Sequence, residues 1–309
     1  MTLNPKLQSH FLISGVTRNC ETKLRDDVFR LLQALGDTKK LHWLLIESDS
    51  DDSTVNILTQ LSNEIDNFRF ISLGTLRSVI PLRTQRIAHC RNTYLHEIRH
   101  NKLYENIDFV IIADFDGINS KITEGGIESC WTRDDWDMCA ANQKGPYYDI
   151  WALRHEAWSP NDCLEQLRFL NIYSKNIEKN LYACIYSRMI SIPTNSDWIE
   201  VDSAFGGLAI YKKSLFNLSE YSGLNDLGEE VCEHVLFHRR LKQFDVKIYI
   251  NPKMINAEYT EHTKHLRFPH SVLRKLKISI KYYLNIPIDQ RFSIISALNK
   301  IRRKKLAAK

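Results

Sequence analysis

Two carboxylates, Asp114 and Asp116, stand at i and i+2 in IDFVIIADFDG (107–117), directly after a continuous apolar run. Where a buried strand ends, both can approach one divalent ion. Hard oxygen donors of this kind suit Mg²⁺ or Mn²⁺, which would also contact a diphosphate. A plain strand-end turn is the alternative, because Asp and Gly favour turns. The position of the pair, after the fourth strand of a regular alternation, favours the metal reading.

Other segments carry chemistry of their own. RTQRIAHCRN (83–92) holds Arg83, Arg86 and Arg91 at mixed helical spacings, so the three do not share one face. Arginine suits bidentate phosphate binding, and a solvated basic face is the alternative. VDSAFGGLAIY (201–211) places Gly206 and Gly207 inside a strand pattern. Paired glycines there mark a bulge or a backbone that something approaches closely, a sugar donor being one candidate. Asp202, three residues before Phe205, is within reach of an acceptor or a donor sugar on this reading. Trp151 and Arg154 in YYDIWALR suit stacking on a sugar and contact with phosphate, although a tryptophan is equally good core material. GEEVCEHVLFH (228–238) supplies Glu229, Glu230, Glu233, His234 and His238. Its i, i+4 pairs, Glu230 with His234 and His234 with His238, have the spacing of a zinc pair. HExxH is absent and no third ligand is evident, so zinc is set aside.

These residues need elements to position them. Apolar runs at 10–16, 41–46, 68–73 and 107–113 read as buried strands. Helical periodicity at 21–35, 54–65 and 84–103 separates them, with Asp52 or Ser53 as a cap for the second helix. Strands alternating with helices imply a parallel sheet with right-handed crossovers. Ligands of such sheets lie beyond the carboxyl ends of the strands. The residues just after each strand are therefore site candidates: Thr17, Arg18 and Asn19; Glu47, Ser48 and Asp49; Asp114 and Asp116. Beyond residue 130 the pattern predicts a strand at 137–142, mostly helix over 163–187, and a strand over 198–211 broken at the glycine pair. A helix over 228–242 and a strand over 245–250 follow.

This arrangement resembles a GT-A nucleotide-sugar glycosyltransferase, with Asp114-Phe115-Asp116 similar to that fold's DxD motif. Five segments in order are similar to the fungal capsule-associated mannosyltransferase family and related bacterial and viral proteins. They are ESDSDDST (47–54), RIAHCRN (86–92), DIWALR (149–154), FGGLAIY (205–211) and CEHVLFH (232–238), and the likeness spans roughly residues 10–260. The resemblance implies an α/β, Rossmann-like fold with a mostly parallel central sheet flanked by helices. It implies a DxD pair holding metal and donor diphosphate, and Arg86, Arg91 and Asn92 bordering the nucleotide-sugar pocket. Thr17, Arg18, Asn19, Glu47 and Asp49 would line the nucleoside cleft. The general base of an inverting enzyme would be Glu233, with Glu230 as rival, since the acceptor hydroxyl must lose a proton. His262 would be a third metal ligand. Hexose transfer, with mannose as one donor sugar, to a glycan or lipid-linked acceptor is the implied activity. Two rivals remain. A nucleotidyltransferase would carry a Gly-rich phosphate loop after the first strand, where SGVTRNCE has one glycine; the other rival is a non-catalytic nucleotide-sugar-binding scaffold.

Composition limits the setting. The 309 residues, 43% hydrophobic and 26% charged, describe a globular chain and exclude a disordered or fibrous one. Seven scattered cysteines without CxxC spacing suit reduced thiols. No apolar run approaches the roughly 20 residues of a spanning helix, and the start lacks the pattern of a signal peptide, so a cytoplasmic protein is expected. Residues 271–309 hold eleven Lys/Arg and one acid, a net +10 that leaves −5 on the preceding 270 residues. Two parts follow: a glycosyltransferase-like domain over 1–265 and a basic amphipathic tail over 266–309. The tail suits an anionic membrane surface at the inner face. Nucleic acid is disfavoured, since no reading motif is present.

Overall fold

A computed structural model describes residues 5–266. It divides into two compact units, Met1–Thr260 and Glu261–Lys309. All strands named below lie in the first unit.

The expected alternation is present. A short helix α1 (Pro5–Gln8) precedes strand β1 (His10–Thr17), helix α2 (Leu24–Leu35), β2 (Lys40–Glu47), α3 (Thr54–Glu64), β3 (Phe68–Ser72), α4 (Arg83–His100) and β4 (Phe109–Ala113). Then come α5 (Glu124–Glu128), β5 (Met138–Gln143), α6 (Cys163–Tyr173), α7 (Ile177–Cys184), β6 (Ile199–Glu200), β7 (Leu208–Lys212), α8 (Glu233–Leu241) and β8 (Ile248–Ala257). One eight-stranded sheet has the order β3-β2-β1-β4-β7-β5-β8-β6. The first four strands are mutually parallel, in register from Thr17↔Glu47 and Glu47↔Ser72 inward. Strand β7 runs antiparallel to both β4 and β5, and β8 is parallel to β5.

Strand alternation divides the core into two layers. Leu12, Leu44, Ile46, Val110 and Ile112 face α4 and α8 on one side. Phe11, Ile13, Trp43, Leu45 and Ile111 face α2 and α3 on the other. Helices on both faces of a mostly parallel sheet are the architecture the alternation predicts. Strand β4, apolar throughout, sits between β1 and β7 as a central strand must. All seven cysteines are buried free thiols.

Three expectations are corrected in the second half. The segment 198–211 is not one interrupted strand: β6 and β7 occupy different positions in the sheet, and the glycine pair lies just before β7. The helix expected over 228–242 begins only at Glu233. Gly228 takes a positive φ of 76° and Leu224 bridges Glu230 antiparallel, which turns the chain before the helix starts. The last strand begins at Ile248 rather than Asp245, because Asp245 takes a left-handed φ of 56°. The tail 266–309 lies, except for Leu266, outside the described residues.

Candidate active site at the carboxyl edge of the sheet

The parallel strands end on one edge, and the residues beyond them meet there. Asp49, in the left-handed region with φ 61°, accepts from the Arg77 N–H at 2.9 Å and lies 3.5 Å from Arg86 Nε. These arginines and backbone donors hold its carboxyl below the usual range against the opposing effect of burial. Arg18 donates from Nε to the Asp49 carbonyl at 3.2 Å, and Asn19, φ 48°, exchanges hydrogen bonds with Asp51. Glu47 is buried, accepting from the Ser50 N–H and from the Ser72 hydroxyl. The Thr17 hydroxyl donates to the Ile46 carbonyl at 3.4 Å. The first two strand ends are thus zipped together, with Arg86 brought to them from α4.

The second cluster surrounds Asp114. This residue follows β4, and its N–H donates to the Gly207 carbonyl at 3.0 Å. Its side chain is 32% exposed, and Arg91 Nη2 lies 3.9 Å from Oδ1. Burial pushes its pKa up to about 8, opposed by Arg91 and reinforced by Asp116, Asp149 and Glu233. Asp116 is exposed and accepts from the Ile118 N–H at 3.3 Å. Arg91, only 3% exposed, donates from Nε to Glu233 Oε1 at 2.8 Å and from Nη1 to the Tyr94 hydroxyl at 3.3 Å. Its guanidinium also lies over the rings of Phe205 and Tyr221, at 5.5 and 5.7 Å. Glu233, 5% exposed, opens α8, where an acid is favoured by the helix dipole. Two carboxylates, Asp114 and Glu233, therefore share one guanidinium.

A chain of buried amides fixes the floor of this cluster, and sequence reasoning missed it. Asn119 donates to the carbonyls of Asp114 (2.7 Å) and Gly207 (3.2 Å). Asn256 donates to Asn119 Oδ1 (3.0 Å) and the Gly206 carbonyl (2.7 Å), and Gln143 donates to Asn256 Oδ1 (3.1 Å). Asp149 Oδ2 accepts the Gly206 N–H at 2.9 Å. Both glycines take positive φ, 69° and 81°. A Cβ at Gly206 would sit 2.9 Å from the Ala141 carbonyl, and one at Gly207 would sit 2.8 Å from Ile118. The close approach that the glycine pair requires is thus made by the protein itself.

Other candidates lie elsewhere. Asn92 spends both ends of its amide on the Tyr221 backbone, at 2.9 Å each. Arg154 pairs with Asp162 at 2.6 Å and with the Trp151 and Leu153 carbonyls. Trp151 is half-buried against the core. Asp202 is exposed and lines, with Arg154, Asn161, Asn225 and Arg239, a cavity of about 540 Å³ on the outer face of α8. Glu230 lies before α8, so it shares no helical face with His234. His262 is an exposed residue of the second unit.

Among the described residues, no group of three or more His, Cys, Asp or Glu side chains is arranged to hold a metal ion. The donor chemistry nevertheless fits a hard cation. Asp114 and Asp116 are oxygen donors; burial first, and then the neighbouring carboxylates, disfavour the charge on Asp114, and a divalent ion there would offset both.

No protein-family model and no curated protein matches the sequence. Among solved structures, the chain is similar to the mannosyltransferase PcManGT from Pyrobaculum calidifontis in complex with GDP-Man and Mn²⁺. The identity is 12% and the TM-score 0.48, over 85% of this chain and 61% of that one. It is similar to S. aureus TarS 1–349 in complex with UDP-GlcNAc (14%, TM-score 0.48, 91% and 69%). It is also similar to glucosyl-3-phosphoglycerate synthase from Mycobacterium tuberculosis in complex with UDP (11%, TM-score 0.40, 81% and 69%). The chain spans about three fifths of the length of the first of these.

Proposed function

We propose that the chain is a metal-dependent, GT-A-type glycosyltransferase that moves a hexose from a nucleoside-diphosphate sugar to a glycan or lipid-linked glycan acceptor. The observation that carries the reading is the meeting of Asp114, Asp116, Arg91 and Glu233 beyond the central strand β4. Asp114 and Asp116 would hold Mn²⁺ or Mg²⁺. The ion supplies positive charge where the leaving diphosphate becomes more negative. Arg91 offers its guanidinium to the same phosphates. Glu233 is the base: in an inverting transfer it takes the acceptor hydroxyl proton as that oxygen bonds the anomeric carbon. The bond to the diphosphate breaks, and the diphosphate leaves with the electron pair. Thr17, Arg18, Asn19, Glu47 and Asp49, with Arg86, form the nucleoside end of the cleft. The cavity at Asp202, lined by carboxylates, amides and guanidinium groups, suits acceptor hydroxyls. Mannose as the donor sugar, capsule-type polysaccharide as the product and a cytoplasmic, membrane-peripheral setting follow from the motif resemblance and the basic tail. Among the described residues, no helix is long and apolar enough to cross a membrane.

The test is a donor-hydrolysis screen across UDP-, GDP- and CMP-sugars with Mn²⁺ or EDTA. One donor should release nucleotide, and the release should be lost with EDTA and in Asp116→Ala, by about 100-fold or more. Donor binding without release under any acceptor would favour the scaffold. Activity on a sugar phosphate with a nucleoside triphosphate would favour a nucleotidyltransferase.

A further inference from the structure

Glu233 is tied to Arg91 in this structure. Arg91 Nε–H occupies Oε1 at 2.8 Å, inside a pocket that buries both side chains. A diphosphate beside Asp114 would meet Nη2, 3.9 Å from that carboxylate, which shares an edge of the guanidinium with the Nε–H held by Glu233, and bidentate binding uses parallel N–H groups. The two anions therefore compete for Arg91.

His234 supplies the second half of the argument. It is 2% exposed, and neither ring nitrogen has a hydrogen-bond partner. Its ring stacks on Phe205 at 4.0 Å, and its Nε2 lies 3.8 Å from Glu233 Oε1. Burial first, then the charges of Arg91 and His238, hold its pKa well below the ordinary value, so the ring is neutral and can donate one N–H. A buried polar group without a partner costs free energy that a second arrangement of the site would recover. Glu233, once released by Arg91, is the acceptor within reach.

We propose that Arg91 is a latch shared between Glu233 and the donor diphosphate: it holds the base until the donor draws it away, and His234 then takes its place on Glu233. This rests on the glycosyltransferase reading above. Glu233 would exchange a cationic partner for a neutral one only in the loaded site, which couples donor binding to the basicity of the acceptor-side carboxylate. Arg91 and His234 are here positioning residues for Glu233.

Calorimetry of GDP and of UDP with Mn²⁺ tests this without turnover. The samples are the full chain, Glu233→Gln, Glu233→Asp and His234→Phe, each checked for a cooperative melt. Removing the competing carboxylate should tighten nucleoside-diphosphate binding about tenfold in Glu233→Gln. The shortened carboxylate of Glu233→Asp should tighten it to a smaller degree. His234→Phe keeps the stack but cannot receive Glu233, so binding should weaken several-fold. Binding by the unaltered chain with both Glu233 variants equal or weaker overturns the latch alone. No binding of either nucleotide by any sample overturns the donor reading and the latch with it.

Discussion

At the residue scale, the site holds carboxylates in places where burial opposes their charge. Asp27, on the inward face of α2, is 2% exposed and accepts the Gly117 N–H at 2.7 Å, which ties the Asp114–Gly117 loop to the helix. Burial raises its pKa to about 7 against that hydrogen bond, with Asp116 and Asp26 adding to the rise. A folded carboxyl above its unfolded value binds more protons in the native state, so stability falls as pH rises from about 4 through 7. Asp27→Asn keeps an acceptor for Gly117 and removes the titration. It should be more stable than the parent at pH 8, by up to about 4 kcal/mol, and nearly equal at pH 4. Urea denaturation at the two pH values checks this, and a constant difference between them would refute it. Such residues were only partly legible in the sequence. Asp114 was, because an apolar run ends on it. Arg91 stood out as an arginine, but its burial between Glu233 and Asp114 was not visible, since the partners lie 142 and 23 positions away.

At the element scale, the first four strands and three helices were readable because parallel βα units have an unbroken periodicity. After β4 the reading was partial: β5 and the stretch of α6 and α7 fall where the pattern places them, whereas β6, β7, α8 and β8 do not. Strand β7 is inserted antiparallel between β4 and β5, and no local pattern announces an insertion. The helix α8 was placed five residues early, because the apolar spacing continues through a turn that Gly228 forms. The amides Asn119, Gln143 and Asn256 gave no signal at all: single polar residues near strand ends are read as loop. Their arrangement predicts a large effect. Asn256→Ala removes two donated hydrogen bonds and leaves the Gly206 carbonyl and Asn119 Oδ1 with fewer partners, at a cost of about 3 kcal/mol. Chemical denaturation measures the loss, and a change under about 0.5 kcal/mol would show that the chain is dispensable. By contrast, the α6–α7 hairpin exposes Ile172 and Tyr173 by about three quarters each. Replacing both by serine should leave stability within about 0.5 kcal/mol in the same assay.

At the scale of the whole molecule, charge divides the chain. The −5 of the first 270 residues and the +10 of 271–309 predict different surfaces for body and tail. The full chain should sediment with phosphatidylglycerol vesicles at low ionic strength and be released by salt, whereas a chain ending at residue 266 should stay in solution. Equal sedimentation of the two would move the membrane contact to the body.

The strand order also bears on how the chain is made. Strand β4 and strand β5 each need β7 as a neighbour, yet β7 follows β4 by roughly 95 residues, which a ribosome adds in roughly 5–20 s. During that interval a nascent four-stranded half-sheet would present the β4 edge unpaired, besides the permanent edge at β3, with the apolar flank of Val110 and Ile112 beside it. The strand order thus places the demand for protection of an unpaired edge midway through synthesis rather than at its end.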